Sequence, residues 1–355
     1  MKLMIGLIFC VLMLSPGFVF ATNGDLASRV TALEDALSQG VVQQVQLTGA
    51  IEAEASYSSD YDDVKESGID LTTVELGIDI ALTDFFSGFA LMKWEEDGGE
   101  GVFLDEGGAT LGNVDEYGVA VTVGKLYVPF GVFETGMISD PVTLELGETR
   151  EGAAIVDFVT GGFYGAAYIF NSAINDDADD DMIDAFGANA GYAFDADEMS
   201  FDVTIGWVSN MTSSGGFTAY LDDGDIALLD DYSAGATVSA VVEIADFTLI
   251  GEYLTALDSD YQAAEDSEPA TWNLEVGYGF DLSGYSASVA VSYQGSDETA
   301  FLGLPETRFG ATFGFDITDG LGIAFEYIHD EDYGTSDGGT GESADAVTCQ
   351  LALDF

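Results

Sequence analysis

The stretch that decides the fold is Ala346 to Phe355, AVTCQLALDF. Val347, Cys349, Leu351, Leu353 and Phe355 share one parity; Ala346, Thr348, Gln350, Ala352 and Asp354 share the other. A strand repeats every two residues, so the first set lies on one face and the second on the opposite face. A greasy face opposite a polar face, ending on an aromatic residue, is the pattern of a membrane-barrel strand. Any half-buried strand alternates in this way, so the rest of the chain must repeat it.

It does, from Val45 onward. Leu47, Ile51, Ala53, Ala55 and Tyr57 oppose Thr48, Glu52, Glu54 and Ser56. Val74, Leu76, Ile78, Ile80 and Leu82 oppose Thr73, Glu75 and Asp79, and Met199, Phe201, Val203, Ile205 and Trp207 oppose Ser200, Asp202 and Thr204. Trp272, Leu274, Val276, Tyr278 and Phe280 oppose Asn273, Glu275 and glycines. About sixteen such segments can be counted. They start near residues 45, 70, 86, 102, 118, 152, 161, 183, 198, 232, 246, 270, 285, 305, 320 and 346; those near 86, 102 and 161 alternate poorly.

Short and long connections alternate. Thr83-Asp84, Asn113 to Glu116, Asp195 to Glu198, Ala245-Asp246, Asp281 to Gly284 and Thr318-Asp319 read as tight turns. Between them lie longer polar segments: Tyr57 to Ser67, Pro129 to Glu151, Ser172 to Met182, Met211 to Asp231, Asp258 to Pro269 and Asp330 to Ser343. Hairpins crossing a bilayer open alternately on its two sides, with the short turns periplasmic and the long loops extracellular. Strands with one face in lipid cannot leave an open edge, so the sheet must close. The expected fold is an all-β transmembrane, antiparallel outer-membrane β-barrel of about sixteen strands. An even strand number puts both termini in the periplasm.

The N-terminus agrees with that compartment. Lys2, the apolar run Leu3 to Leu14 and the Val19-Phe20-Ala21 site read as a secretory signal peptide over residues 1–21. The run is too short to span a bilayer as a helix. Cys10 lies within it, leaving Cys349 without a disulfide partner and on the lipid-facing parity. Residues 22–40 differ from the rest of the chain: Leu26, Val30, Leu33 and Leu37 form a heptad seam, bounded by Asp25 and Gly40. This is expected to be a short periplasmic coiled-coil helix preceding the barrel of residues 45–355. It can assemble a homo-oligomer, with a trimer favoured because Arg29 to Glu34 resembles a trimeric coiled-coil motif; an isolated amphipathic helix is the alternative.

The 355-residue chain carries 65 acidic and 7 basic residues, a formal net charge of −58. No basic patch exists for nucleic acid. The parity that sends apolar residues to lipid sends Glu52, Glu54, Glu75, Asp79, Asp202, Glu243, Glu252, Glu275 and Glu326 to the lumen. Arg308 is the clearest lumen-facing base, and Lys93 is expected to face the lumen as well. A barrel of this size holds a water-filled channel, and such a lining favours cations over anions; solvated or ion-paired filler is the alternative. Asp176-Asp177-Ala178-Asp179-Asp180-Asp181 and Asp222-Asp223-Gly224-Asp225 are dense carboxylate runs that do not match an EF-hand. They read as solvated surface, suited to divalent bridging with lipopolysaccharide. No metal site and no cofactor are expected. His329 has no companion histidine and no visible catalytic partner, so no enzyme is expected.

The block Gly124-Lys125-Leu126-Tyr127-Val128-Pro129-Phe130-Gly131 continues through Leu144 to Glu151 and holds Glu148 and Arg150. Two prolines stiffen it and forbid strand pairing. Lys125, Tyr127, Pro129, Phe130, Glu148 and Arg150 are constriction candidates if it folds inward; an ordinary external loop is the alternative. Together with Ile51-Glu52-Ala53-Glu54-Ala55-Ser56-Tyr57, Val74-Glu75-Leu76-Gly77 and Gly161-Gly162-Phe163-Tyr164-Gly165, this block resembles the LbtU-type siderophore porin family. The resemblance is strongest over residues 45–171. It implies passage of ferric siderophore or similar small solutes through a barrel set in outer-membrane lipid and lipopolysaccharide. Too few residues precede the first strand for a plug domain, so transport is expected to be diffusive. A general cation-preferring diffusion porin and a structural acidic surface protein are the alternatives.

Overall fold

A computed structural model describes residues 44–96, 101–172, 183–196, 198–223, 233–257 and 268–355. The expected signal peptide, the heptad helix, the Asp176–Asp181 run and Asp225 lie outside the described residues.

The described residues form sixteen antiparallel strands closed into one barrel. They are β1 (Gln44–Ser59), β2 (Lys65–Thr83), β3 (Phe86–Glu95), β4 (Phe103–Asn113), β5 (Val119–Tyr127), β6 (Arg150–Thr160), β7 (Phe163–Phe170) and β8 (Ala185–Ala196). The other half comprises β9 (Met199–Val208), β10 (Gly235–Ile244), β11 (Phe247–Ala256), β12 (Ala270–Leu282), β13 (Tyr285–Asp297), β14 (Thr307–Thr318), β15 (Leu321–Glu331) and β16 (Ser343–Asp354). Each strand pairs with its chain neighbours, and β16 returns to β1 in the register Ile51 to Leu353 and Tyr57 to Val347. The terminal stretch therefore closes the ring, and no strand edge meets hydrocarbon.

Turn chemistry sets the hairpins. Gly161-Gly162 joins β6 to β7 and Ser283-Gly284 joins β12 to β13, with positive φ at every position (58°, 87°, 59° and 93°). Two-residue turns of this hand match the twist of the strands they connect. Between β4 and β5 a single helical turn, α1 (Val114–Tyr117), replaces the tight turn; the Asn113 side chain accepts its first N–H groups and Gly118 stops it at φ 71°.

The faces divide as period two requires. Leu274 is 54% exposed and its chain neighbour Glu275 is 4% exposed. Val291, Ile205, Phe309, Tyr327 and Phe355 form part of an outward apolar band. The molecule is an outer-membrane β-barrel, with its tight turns and the first and last strand ends of the barrel on the periplasmic side.

Two features differ from the sequence reading. The β1–β2 hairpin is longer than expected, and Lys65 to Ser67 belong to β2 rather than to a loop. Its 19-residue second strand exceeds the 9–11 residues that cross a bilayer. Above the lipid, backbone pairing continues while the apolar alternation is no longer needed. Second, apolar residues do not all face lipid. Leu126, Val128, Phe130, Leu146, Phe170 and Leu254 belong to a dry cluster inside the barrel, on the side of β5 to β11. In β7, Phe163 and Ile169 face out while Tyr168 and Phe170 are buried within. Strands that are apolar on both faces lose their alternation, which explains the weak pattern of that segment.

Candidate functional site

Residues 128–149, between β5 and β6, fold into the lumen. Proline at 129 and 141 removes two donors, and most remaining amides of the segment need partners other than a strand. The inner wall supplies them. Glu252 on β11 accepts the N–H of Val132 at 2.8 Å, the N–H of Phe133 at 3.2 Å and the hydroxyl of Thr143 at 2.8 Å. Glu275 on β12 accepts the Thr135 hydroxyl at 2.9 Å and the Gly136 N–H at 2.6 Å. Glu326 on β15 accepts the N–H groups of Ile138 at 2.6 Å and Ser139 at 3.2 Å, and the Ser139 hydroxyl. The segment thus runs around the wall from β11 to β15. It returns through α2 (Val142–Gly147), where the Gln294 side chain accepts the Val142 N–H at 2.8 Å.

Packing completes the attachment. Phe130, Val142 and Leu146 are fully buried against the wall. Burying one such side chain contributes about 1.5–3 kcal/mol. The carbonyl of Phe130 stands against the place a Cβ on Gly206 would take, so β9 must carry glycine there. Phe133 takes φ 55°, a left-handed backbone unusual for a bulky residue, and Glu252 holds its N–H. A second inward element, α3 (Gly215–Asp223), packs on α2, with Gly216 close against the Glu145 carbonyl.

The expected lumen acids therefore have three fates. Glu252, Glu275 and Glu326 face inward, but their carboxylates hold the loop and do not line open water. Glu52, Glu54 and Glu75 line a cavity of about 510 Å³ between the loop tip and the opposite wall. Glu95 and Asp140 join them there, and Lys93 is the one base among the lining residues. Lys93 is ion-paired with Glu95 at 2.8 Å and with Glu75 at 3.6 Å. Asp202 and Glu243 lie near the periplasmic ends of β9 and β10, where they accept hydrogen bonds from Tyr164 and Ser200. Asp79 lies near the periplasmic end of β2. Arg308 faces inward but forms a bidentate pair with Asp330, both contacts 2.8 Å, so it adds no free positive charge.

A second cavity of about 600 Å³ lies toward the extracellular ends of β3 to β6. It shares Lys93, Glu95 and Asp140 with the first, and Lys125, Tyr127, Glu148 and Arg150 line it. Four of the six constriction candidates thus meet at one space. Phe130 does not; it is 1% exposed in the dry cluster. Pro129 precedes it at the root of the loop. Arg150 pairs with Asp105 and stacks over the rings of Phe103 and Tyr127, 5.6 and 5.8 Å from their centroids. Asp105 is the extra residue of a bulge, since Leu91 pairs with Glu106 while Met92 pairs with Leu104. The sequence reading missed Glu95, Asp105 and Asp140. The poor alternation of the strand near 102 was the signal for the bulge.

Burial lifts the Glu148 carboxyl to about 7, with Asp140 and Asp105 adding to the effect against Lys93 and Arg150. Burial also raises the carboxyls of Asp140 and Glu145. Among the described residues no group of three or more His, Cys, Asp or Glu is placed to hold a metal ion. His329 bonds Asp345 at 2.9 Å, on the same outward parity as Tyr327.

No protein-family model matches the chain. It is 26% identical over 307 residues to a UPF0422 protein of Coxiella burnetii, covering 82% of this chain and 65% of that protein. It is 26% identical over 355 residues to the UPF0422 protein lpg2959 of Legionella pneumophila, covering 88% of this chain and 66% of that one. The chain thus spans just under two thirds of the length of these curated relatives. Among solved structures it resembles the outer membrane channel DcaP of Acinetobacter baumannii (TM-score 0.62, 13% identity, 88% of this chain and 97% of that one). It also resembles an anion-selective porin from Comamonas acidovorans (TM-score 0.62, 14% identity, 88% and 99%) and Pseudomonas putida OprB (TM-score 0.62, 10% identity, 95% and 100%). At these identities the likeness is one of fold: the chain has the architecture of outer-membrane porins.

Proposed function

We propose that this chain is a passive outer-membrane channel for small hydrophilic solutes, with a preference for cations. One observation carries the reading. The inward loop closes one side of the lumen and leaves a polar passage on the other, lined by Glu52, Glu54, Glu75, Glu95 and Asp140 against Lys93. Carboxylates facing a narrow aqueous space raise the local concentration of cations and lower that of anions. The two cavities adjoin, sharing Lys93, Glu95 and Asp140, which places the extracellular one directly above the middle one. A third, of about 180 Å³, shares Ser288, Gly314, Ala324 and Gln350 with the middle one and extends it toward the periplasm.

The test is single-channel recording in a planar bilayer with a salt gradient. A conducting channel whose reversal potential has the sign for cation passage supports the reading. No conductance, or an anion-selective one, overturns it. Passage of ferric siderophores is a narrower reading that rests on the family resemblance of residues 45–171. Loss of ferric-chelate uptake in a deletion strain, with small-sugar entry retained, is its test. Assembly as a trimer rests on the heptad seam and is read by the mass of the detergent-solubilised complex.

A further inference from the structure

Among the described residues Lys93 is the one base lining the middle cavity, and it stands where that cavity meets the extracellular one. It lies on the inward parity of β3, directly opposite Glu75 in the β2–β3 pair. Its ammonium is 2.8 Å from Glu95 and 3.6 Å from Glu75. Asp140 borders both cavities from the loop side. Burial raises the Asp140 carboxyl and the Lys93 charge acts against that rise, so the two groups sense one another across the space. One ammonium thus stands among three carboxylates at the junction.

The other described bases are placed elsewhere. Arg150 pairs with Asp105 and Arg308 with Asp330. Lys125 stands on the outward parity of β5, beside the inward-buried Leu126. Lys65 lies on the extracellular β1–β2 hairpin. The ion pairs of Lys93 add little to the fold, because all three side chains are partly open to water. Their larger effect falls on the passage, where low-dielectric walls concentrate the field of each charge on a passing ion.

Resting on the channel reading above, we infer that Lys93 is the specificity-determining residue of the passage: its ammonium is a tethered counter-ion that lets solutes bearing a negative charge cross the junction of the two cavities. An anion at the junction is repelled by Glu75, Glu95 and Asp140, and Lys93 is the base there that can meet its charge. The flexible four-carbon stem lets the ammonium turn from Glu95 toward a passing anion without moving the backbone. A cation meets the reverse, since Lys93 already offsets part of the field that would hold it. The acids set the sign of the preference, and Lys93 sets its size.

The experiment measures reversal potentials in a planar bilayer under a potassium chloride gradient. Heat-modifiable migration first shows that each variant is folded. Lys93→Gln is expected to raise the potassium-to-chloride permeability ratio several-fold. Lys93→Arg, which keeps the charge, and Lys65→Gln, away from the junction, are expected to keep the unaltered ratio. In a Cys349→Ser background, Lys93→Cys is expected to show the raised ratio. Attaching an aminoethyl group to that thiol with a methanethiosulfonate reagent restores the ammonium in the already folded barrel, and should bring the ratio back. A conducting Lys93→Gln channel with an unaltered or lowered ratio overturns the inference and leaves the channel reading intact. So does an equal rise in Lys93→Arg, or a Lys93→Cys channel whose ratio the added ammonium does not lower. No conductance from the unaltered protein overturns the channel reading itself.

Discussion

Val132 and Glu252 are 120 residues apart, and the backbone N–H of the first donates to the carboxylate of the second at 2.8 Å. This bond turns a wall acid into an anchor. Glu275 and Glu326 repeat it on β12 and β15, so three carboxylates hold one loop across the lumen. A hydrogen bond to a charged group contributes about 1.5–3 kcal/mol.

Truncating an anchor should loosen the loop. Glu252→Ala strands the N–H groups of Val132 and Phe133 and the hydroxyl of Thr143. Single-channel conductance should rise and become noisy, and urea unfolding should show a loss of about 1–3 kcal/mol for the unsatisfied donors. An unchanged conductance would mean that packing alone fixes the loop.

Phe130 should matter more than its distance from the passage suggests. Phe130→Ala empties a fully buried site and should cost about 3–5 kcal/mol. Phe309→Ala, on the lipid face, should cost much less, because lipid chains fill the space. Gly206→Leu is expected to block docking of the loop, since its Cβ would meet the Phe130 carbonyl. Protease sensitivity of residues 128–149 in the folded barrel reads this directly.

Ion selectivity should follow the acids that remain free. A unit charge 4 Å from an ion in water is worth about 1 kcal/mol. The triple variant Glu52→Gln, Glu54→Gln, Glu75→Gln should therefore lower the cation-to-anion permeability ratio several-fold. Neutralising Glu243 near the periplasmic end should change it little. Equal effects from both would place the selective region elsewhere.

Selectivity should also depend on pH near neutrality. Glu148 titrates at about 7, above the ordinary carboxylate value. It is charged above that pH and neutral below it, so cation preference should fall as pH drops from 8 to 6. For stability the sign is opposite. A carboxyl raised by burial contributes most below the ordinary carboxylate range, and that contribution is lost as pH rises through about 7. Glu148→Gln should flatten the selectivity change over this range without destabilising the barrel at pH 8.

Much of the molecule was legible in one dimension. The strand starts expected near 45, 86, 198, 270 and 285 fall at 44, 86, 199, 270 and 285. Period two is set by the pleat of a single chain, and the turns carry their own chemistry, as at Ser283-Gly284. The segment near 161 shows a weak pattern because Phe170 and Tyr168 meet a loop that the local alternation cannot reveal.

The amino-acid order alone pointed to about sixteen strands, to the alternation of short and long connections, and to the inward parity of acids such as Glu54, Glu252, Glu275 and Glu326. Those are properties of near neighbours along the backbone. Whether an acid meets water or a loop was decided only by the tertiary structure. Glu54 and Glu326 share parity and chemistry, yet one lines the passage while the other binds Ile138, 188 residues away in the chain. The physical reason is that this partnership depends on where a distant segment comes to rest, and no local repeat encodes that distance.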